Sequence, residues 1–249
     1  MVRVQVIQSF RSDTQPDWMK ICLQSVQRWS HQQGYAYEFC DDSMFDRVAP
    51  ELRRKVGLRT AMLSDLARLL WANEVLCTER VDWVLWLDAD TLIFAPEGLS
   101  LQTGVDAVFG QEWWPQRDEG GKLRIYRNVH NAYCAFPKDG RVLPFLIYAC
   151  ERLLRQADIQ RVPAQFIGPK LLTSLHNRIG FDLDPRFGAI SPLLAQTLAG
   201  DQPLHGAVHA LASGAPRPQV YAANLCASLT QEVDHLSLVE RLRRHGAPL

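Results

Sequence analysis

No two cysteines in this chain are spaced C-x-x-C, and none stands near histidine at zinc-ligand spacing. That excludes a zinc ribbon and a thioredoxin-like redox pair. The six cysteines, at positions 22, 40, 77, 134, 150 and 226, several of them in apolar surroundings, read as small hydrophobes in a reducing compartment. Excess charge is lacking too. Lysine plus arginine equals aspartate plus glutamate, 27 each, so no basic field advertises nucleic acid as a partner, and an anionic substrate must be held locally. No apolar run is long enough to cross a bilayer. The opening "MVRVQVIQSF" alternates like a strand and has no signal-peptide core. The expected location is cytoplasmic, with at most peripheral membrane contact. Internal repeats, low-complexity tracts and linkers are absent. The first strand is not followed by a Gly-rich phosphate loop with Lys or Arg, which argues against a nucleotidyltransferase.

What is present reads as one α/β domain over 249 residues, 47% of them apolar. Strands are predicted at 2–10, 35–40, 83–88, 106–111 and 132–136, and helices at 17–34, 59–77, 141–156 and 169–177. After Gly180 the pattern weakens. "FGAI" and "GAVHAL" suit short strands, "SLVERLRRH" suits a final helix, and the Gly/Ala/Pro-rich stretch 205–218 suits a loop. Strands alternating with helices imply a mainly parallel central sheet flanked by helices. In such sheets, ligands sit outside the carboxyl ends of the strands.

One such end carries the chemistry. In "WVLWLDADTLIF" an apolar run enters Asp88 and Asp90. Two carboxylates about 4 Å apart repel by roughly 4 kcal/mol at an effective dielectric near 20. A shared cation or a proton relieves this. If strand alternation holds through Asp90, both side chains face one centre. The alternative is a strand that ends in an ordinary polar turn. Upstream, "SDLARLL" puts Asp65 and Arg68 on one helical face, either as a surface ion pair or as a polar pair aimed into a cleft.

"SDLARLL" followed by "WVLWLDADTLIF" resembles glycosyltransferases of the GT-A fold, in particular the family 32 type and the related glucosylating toxins. "NAYCAFPKDG" (131–140) is similar to their Asn-led strand, and "QFIGPKLLTSL" (165–175) to their GP-x-x-L-T helix start. The segment before the D-x-D strand, "CTERVDW", departs from the pattern in lacking a Gly-Gly pair. The resemblance implies a Rossmann-like nucleotide-diphospho-sugar transferase that is metal-dependent, retaining and of the hexosyltransferase type. The donor is a nucleotide-sugar, expected to be UDP-linked, and the acceptor a glycan, a lipid-linked sugar or a protein. Mn²⁺ or Mg²⁺ would neutralise the departing diphosphate.

By the same resemblance, Asp90 binds the metal directly. Asp88 contacts ribose, donor sugar or metal. Asp65 and Arg68 hold the donor sugar, with Arg68 near the diphosphate, and Asn131 touches the sugar. His209, in "HALAS", completes the metal shell, with His205 as its rival. Phe10 is a candidate to stack on uracil and Gln8 to reach base or ribose, although Phe10 suits core packing equally well. "EWW" (112–114) suits an acceptor wall or a core edge, with Glu112 a polar neighbour rather than an assigned base.

Two other features remain. "WLDADTLIF" also matches the opening motif of haloacid dehalogenase phosphatases, with Asp88 as nucleophile and Mg²⁺ as metal. Against that reading, some 80 residues with strand and helix patterns precede the motif. The basic tail "ERLRRH" (240–245) reads as a solvated helix end or as a contact for anionic lipid.

Overall fold

The computed structural model describes residues 2–78, 80–103, 106–199 and 219–247. Its centre is a six-stranded sheet of order β2-β1-β3-β6-β5-β7. The strands are β1 (Val4–Ser9), β2 (Ala36–Cys40), β3 (Trp83–Leu87), β5 (Val108–Arg117), β6 (Leu123–Pro137) and β7 (Asp182–Asp184). Five run the same way, and β6 alone is antiparallel to its neighbours β3 and β5. The mainly parallel α/β architecture expected from the sequence is therefore the one observed.

β3 is buried on both faces, which is why its sequence is a continuous apolar run. Trp83, Leu85 and Leu87 enter one core cluster, which also holds Val26 and Trp29 of helix α1 (Asp17–Gln32). Val84 and Trp86 enter the other, with helices α2 (Pro50–Val56), α3 (Thr60–Cys77), α4 (Val142–Gln156) and α5 (Pro169–Ile179). α1 stops where its sequence stops it, with Gly34 in a left-handed conformation at φ 72°.

A second, three-stranded sheet closes over the first. Its strands are β4 (Thr91–Ile93), β9 (Ala222–Asn224) and β8 (Phe187–Ala189), with β9 in the middle. Helices α6 (Pro192–Ala199) and α7 (His235–His245) pack together on this side.

Two features of the register shape the site. Tyr133 of β6 lies opposite Leu87, the last residue of β3. Gly110–Arg117 and Leu123–His130 therefore continue past the end of β3 as a two-stranded arm. Phe109 pairs with Cys134, but Gly110 pairs with His130, so residues 131–133 have no partner on β5. This bulge redirects β6 toward the end of β3, where the Asp88 N–H donates to the Ala132 carbonyl at 2.9 Å. The predicted strands at 106–111 and 132–136 are thus fragments of two much longer ones.

Candidate active site

Asp65 and Arg68 lie on α3, three residues apart and in contact at 3.2 Å. Both are buried, which rules out the surface ion pair entertained from the sequence. Arg68 is shared among several acceptors. Its Nη1 donates to Asp88 Oδ1 at 2.8 Å and to the Asn131 carbonyl at 2.7 Å, and its Nε to the Ser64 carbonyl at 3.2 Å. The guanidinium also lies 5.0 Å from the Trp86 ring centre. The Trp86 indole N–H donates to the same Asp88 Oδ1 at 2.6 Å. The Asn131 amide, placed by the bulge, donates to Asp65 Oδ1 at 2.7 Å. Four of the residues singled out from the sequence, Asp65, Arg68, Asp88 and Asn131, thus form one hydrogen-bonded cluster at the carboxyl end of β3.

The GP-x-x-L-T segment supports this cluster from behind. α5 begins at Pro169, and Gly168 sits against Asp65 so closely that a Cβ there would lie 2.4 Å from Asp65 Oδ2. Thr173 Oγ1 accepts the Val129 N–H at 3.1 Å, fixing α5 to β6 two residues before Asn131.

Asp90 is held differently from the expectation. Strand geometry does not continue through it. β3 ends at Leu87, residues 89 and 90 form a turn closed by the Thr91 N–H on the Asp88 carbonyl at 3.0 Å, and β4 follows. Alternation therefore does not set the relation of the two carboxylates; the turn does. Asp90 Oδ1 accepts from the Asn224 amide at 2.6 Å and Oδ2 from the Ala227 N–H at 2.9 Å. The polar turn weighed as the alternative is the one observed, while the sequence reading missed Asn224. The signal available was the apolar run "VYAANLCA", short enough for a strand and returning late in the chain.

The electrostatics are unusual. Burial raises the Asp65 carboxyl to about 6, with Arg68 and Asn131 opposing the rise. Burial first, and the nearby Asp88 charge second, also raise Asp90 to about 6. Burial works against the Arg68 charge, yet Asp88 and Asp65 outweigh it and its pKa rises. Three carboxyl groups, those of Asp65, Asp88 and Asp90, thus gather around the single guanidinium of Arg68.

The remaining candidates divide. Gln8 is fully buried and committed to the protein. Its amide donates to the Asp88 carbonyl at 3.2 Å, and its Oε1 accepts from the Tyr37 hydroxyl at 3.0 Å. It positions the Asp88 backbone and is not free to meet a base. Phe10 is half-buried and packs with the small cluster that contains Ala89, the residue between the two aspartates. Of "EWW", Trp113 is buried, with the Arg127 guanidinium 4.2 Å from its ring centre, so it is no open sugar platform. Trp114 is half-buried on the arm, and Glu112 accepts from the Asn128 amide at 3.0 Å. His205, His209 and the "GAVHAL" strand lie outside the described residues.

Among the described residues no three His, Cys, Asp or Glu side chains form a metal-holding group. The donors still suit a hard divalent cation. Asp88 Oδ2 receives no hydrogen bond among the described residues, and the Asp90 oxygens receive one each. One or two carboxylates completed by phosphate and water oxygens is an arrangement typical of Mg²⁺.

No family model and no curated protein matches this sequence. Solved structures do. A glycosyltransferase involved in glycosylation of the major capsid of PBCV-1 aligns over 96% of this chain and 98% of its own, at 10% identity and a TM-score of 0.50. The fold is that of the viral glycosyltransferase. The GT-A arrangement expected from the four motifs is thereby borne out as a fold. Looser likenesses are to A197 from STIV, at 11% identity, 71% of this chain, 78% of that one and a TM-score of 0.33, and to the catalytic domain of Drosophila β1,4-galactosyltransferase 7, at 14%, 55%, 50% and 0.32. At those scores neither carries an argument.

Proposed function

We propose that the chain is a metal-dependent glycosyltransferase of the hexosyltransferase type. It moves a sugar from a nucleotide-sugar, with UDP the favoured nucleotide, to a glycan, a lipid-linked sugar or a protein, with retention at the anomeric carbon as the resemblance implies. The observation that carries the reading is the cluster at the end of β3. Asp65, Arg68, Asp88 and Asn131 are hydrogen-bonded to one another, Asp90 stands beside them, and three carboxyl groups share one guanidinium. Such a site repels a bare diphosphate and attracts a divalent cation.

Asp90 and the open Oδ2 of Asp88 would hold Mn²⁺ or Mg²⁺, which as a Lewis acid stabilises the diphosphate leaving group. The protein's share is to fix these oxygens in advance. Arg68 and Trp86 hold Asp88 by one oxygen and leave the other available. Asn224 and the Ala227 N–H orient Asp90. Asp65, with one oxygen on Asn131 and the other against Gly168, is positioned to accept from a sugar hydroxyl. Half-buried Phe10, beside Ala89, offers a ring face to a base.

The phosphatase alternative fares worse, because the fold is shared with a glycosyltransferase and two strands and three helices precede the motif. A melting-temperature panel of UDP, GDP and ADP, each with and without Mn²⁺, tests the proposal. Occupancy at a hundredfold excess over Kd is worth about 2.7 kcal/mol, which a melt resolves. The expected result is a metal-dependent rise with one nucleotide that disappears in Asp90→Asn. A flat panel with the wild-type protein would overturn it.

A further inference from the structure

α4 has a second face that the fold does not use. Its inward row, Leu143, Leu146, Cys150 and Leu154, is buried. Opposite lie Arg141, Phe145, Tyr148, Arg152 and Arg155, spaced by four and three residues and therefore one continuous stripe along the helix. All five are exposed, Phe145 by 45% and Tyr148 by 62%. No acidic residue falls in the stripe, and Arg141 and Arg152 have no ion pair among the described residues.

The turn between α2 and α3 extends this face. Leu58 at its tip is 98% exposed. Lys55 Nζ donates to the Arg155 carbonyl at 2.5 Å, and Arg59 donates to the carbonyls of Ile159 and of Val162, the latter at 2.6 Å, so the turn is fastened to the end of α4. Residues 50–59 carry four basic side chains against one acidic, and residues 141–161 four against two, in a chain whose net charge is zero. Three of these cations are paired, Arg53 with Asp46, Arg155 with Glu51 and Arg161 with Asp158, and the two segments still carry a positive excess.

We propose that this face docks on an anionic lipid bilayer. Charge complementarity sets the sign of the partner. The apolar tips set its kind: Leu58, Phe145 and Tyr148 are exposed and spaced apart among cations. A headgroup interface accepts separated aromatic and aliphatic tips while basic side chains meet lipid phosphate. A rigid partner would need a matching pocket for each. The basic end of α7 presents a poorer face: Leu238, Val239 and Leu242 are buried in the core, Leu236 is its one exposed apolar side chain, and Arg244 faces Glu240 at 3.5 Å. Contact would be peripheral, since no helix among the described residues is long and apolar enough to cross a membrane. The inference is independent of the glycosyl-transfer reading, although Cys150, on the inward side of α4, shares a small cavity with Asp65 and Arg68.

Co-sedimentation of the full chain with phosphatidylcholine vesicles, with and without phosphatidylglycerol, tests this without any nucleotide. Binding is expected only with phosphatidylglycerol and should weaken as salt rises. Arg141→Glu combined with Arg152→Glu should lower the partition coefficient by roughly tenfold or more. Phe145→Ser combined with Tyr148→Ser should lower it at low salt with the melting temperature kept, and this pair decides the matter if the charge reversal disturbs folding. Arg244→Glu should leave it unchanged. Absence of binding, equal binding to uncharged vesicles, loss that follows Arg244→Glu instead, or displacement of the vesicles by duplex oligonucleotide would each overturn the proposal.

Discussion

Replacing Arg68 by methionine removes the single cation from a buried acidic cluster while keeping most of the side chain's volume. The guanidinium serves Asp65, Asp88 and the Ser64 and Asn131 carbonyls, and the residue is 6% exposed. Breaking a buried pair from one side costs about 3–5 kcal/mol, because the partner charge is left uncompensated. At about 2 cal/mol/K of unfolding entropy per residue, each kcal/mol moves the melting temperature of a chain this size by roughly 2 °C. The expected deficit at pH 8 is therefore about 6–10 °C.

The pH dependence separates this account from a simple packing defect. In the wild type, burial already raises Asp65 to about 6. A carboxyl raised in the folded state contributes stability below its unfolded pKa and loses it as pH rises through the folded one. Without Arg68 the Asp65 value climbs further, so the folded variant keeps a proton that the wild type has released. Its stability then falls faster with pH, by up to about 1.4 kcal/mol per unit. The deficit should shrink by roughly 2 kcal/mol between pH 8 and pH 6. Adding Asp65→Asn to Arg68→Met should recover part of the loss at pH 8. Melts followed by circular dichroism across this range, on wild type and both variants, check the argument. A deficit that is flat in pH, or one that Asp65→Asn deepens, would refute it.

Gly168→Ala places a methyl group 2.4 Å from Oδ2 of Asp65, a buried side chain held by Asn131 and Arg68. It should cost about 1–3 kcal/mol and weaken nucleotide binding in the same melts, whereas Gly121→Ala, at an exposed turn, should leave binding unchanged. Asp90 titrates near 6 and must be ionised to hold a cation. The Mn²⁺-dependent part of the nucleotide-induced stabilisation should therefore be full at pH 7.5, which is above that value, and mostly lost by pH 5; an undiminished effect at pH 5 counts against Asp90 as a ligand.

The cluster was largely legible because its parts are local patterns. Asp65 and Arg68 share a helical face by spacing alone, and the run "WVLWL" identifies a strand buried on both sides, whose end must be Asp88. The strands and helices with strong periodicity appear where the pattern puts them, within two residues for α1, α3, α4 and α5. What stayed hidden depends on pairing across long sequence distances. The arm beyond Gly110 and the bulge at 131–133 exist because β6 is longer than β3 and serves two partners, which no window of one strand reveals. The turn that parts Asp88 from Asp90 follows from β4 pairing with β9, so alternation was the wrong rule there. Gln8 is polar near the end of the first strand, which suggests ligand contact, yet its amide is engaged by the Asp88 carbonyl and Tyr37.

Asp90 finds its amide donors 134 and 137 positions further along the polypeptide. A growing chain emerges from the ribosome at several residues per second, so an interval passes in which the motif has been made but its anchors have not. During that interval this carboxylate is without its native partners and the proposed cation site is unfinished. The arrangement around Asp90 thus comes late in synthesis, and a product cut short before position 222 would retain the strand that bears the acidic pair but not the means of aiming it.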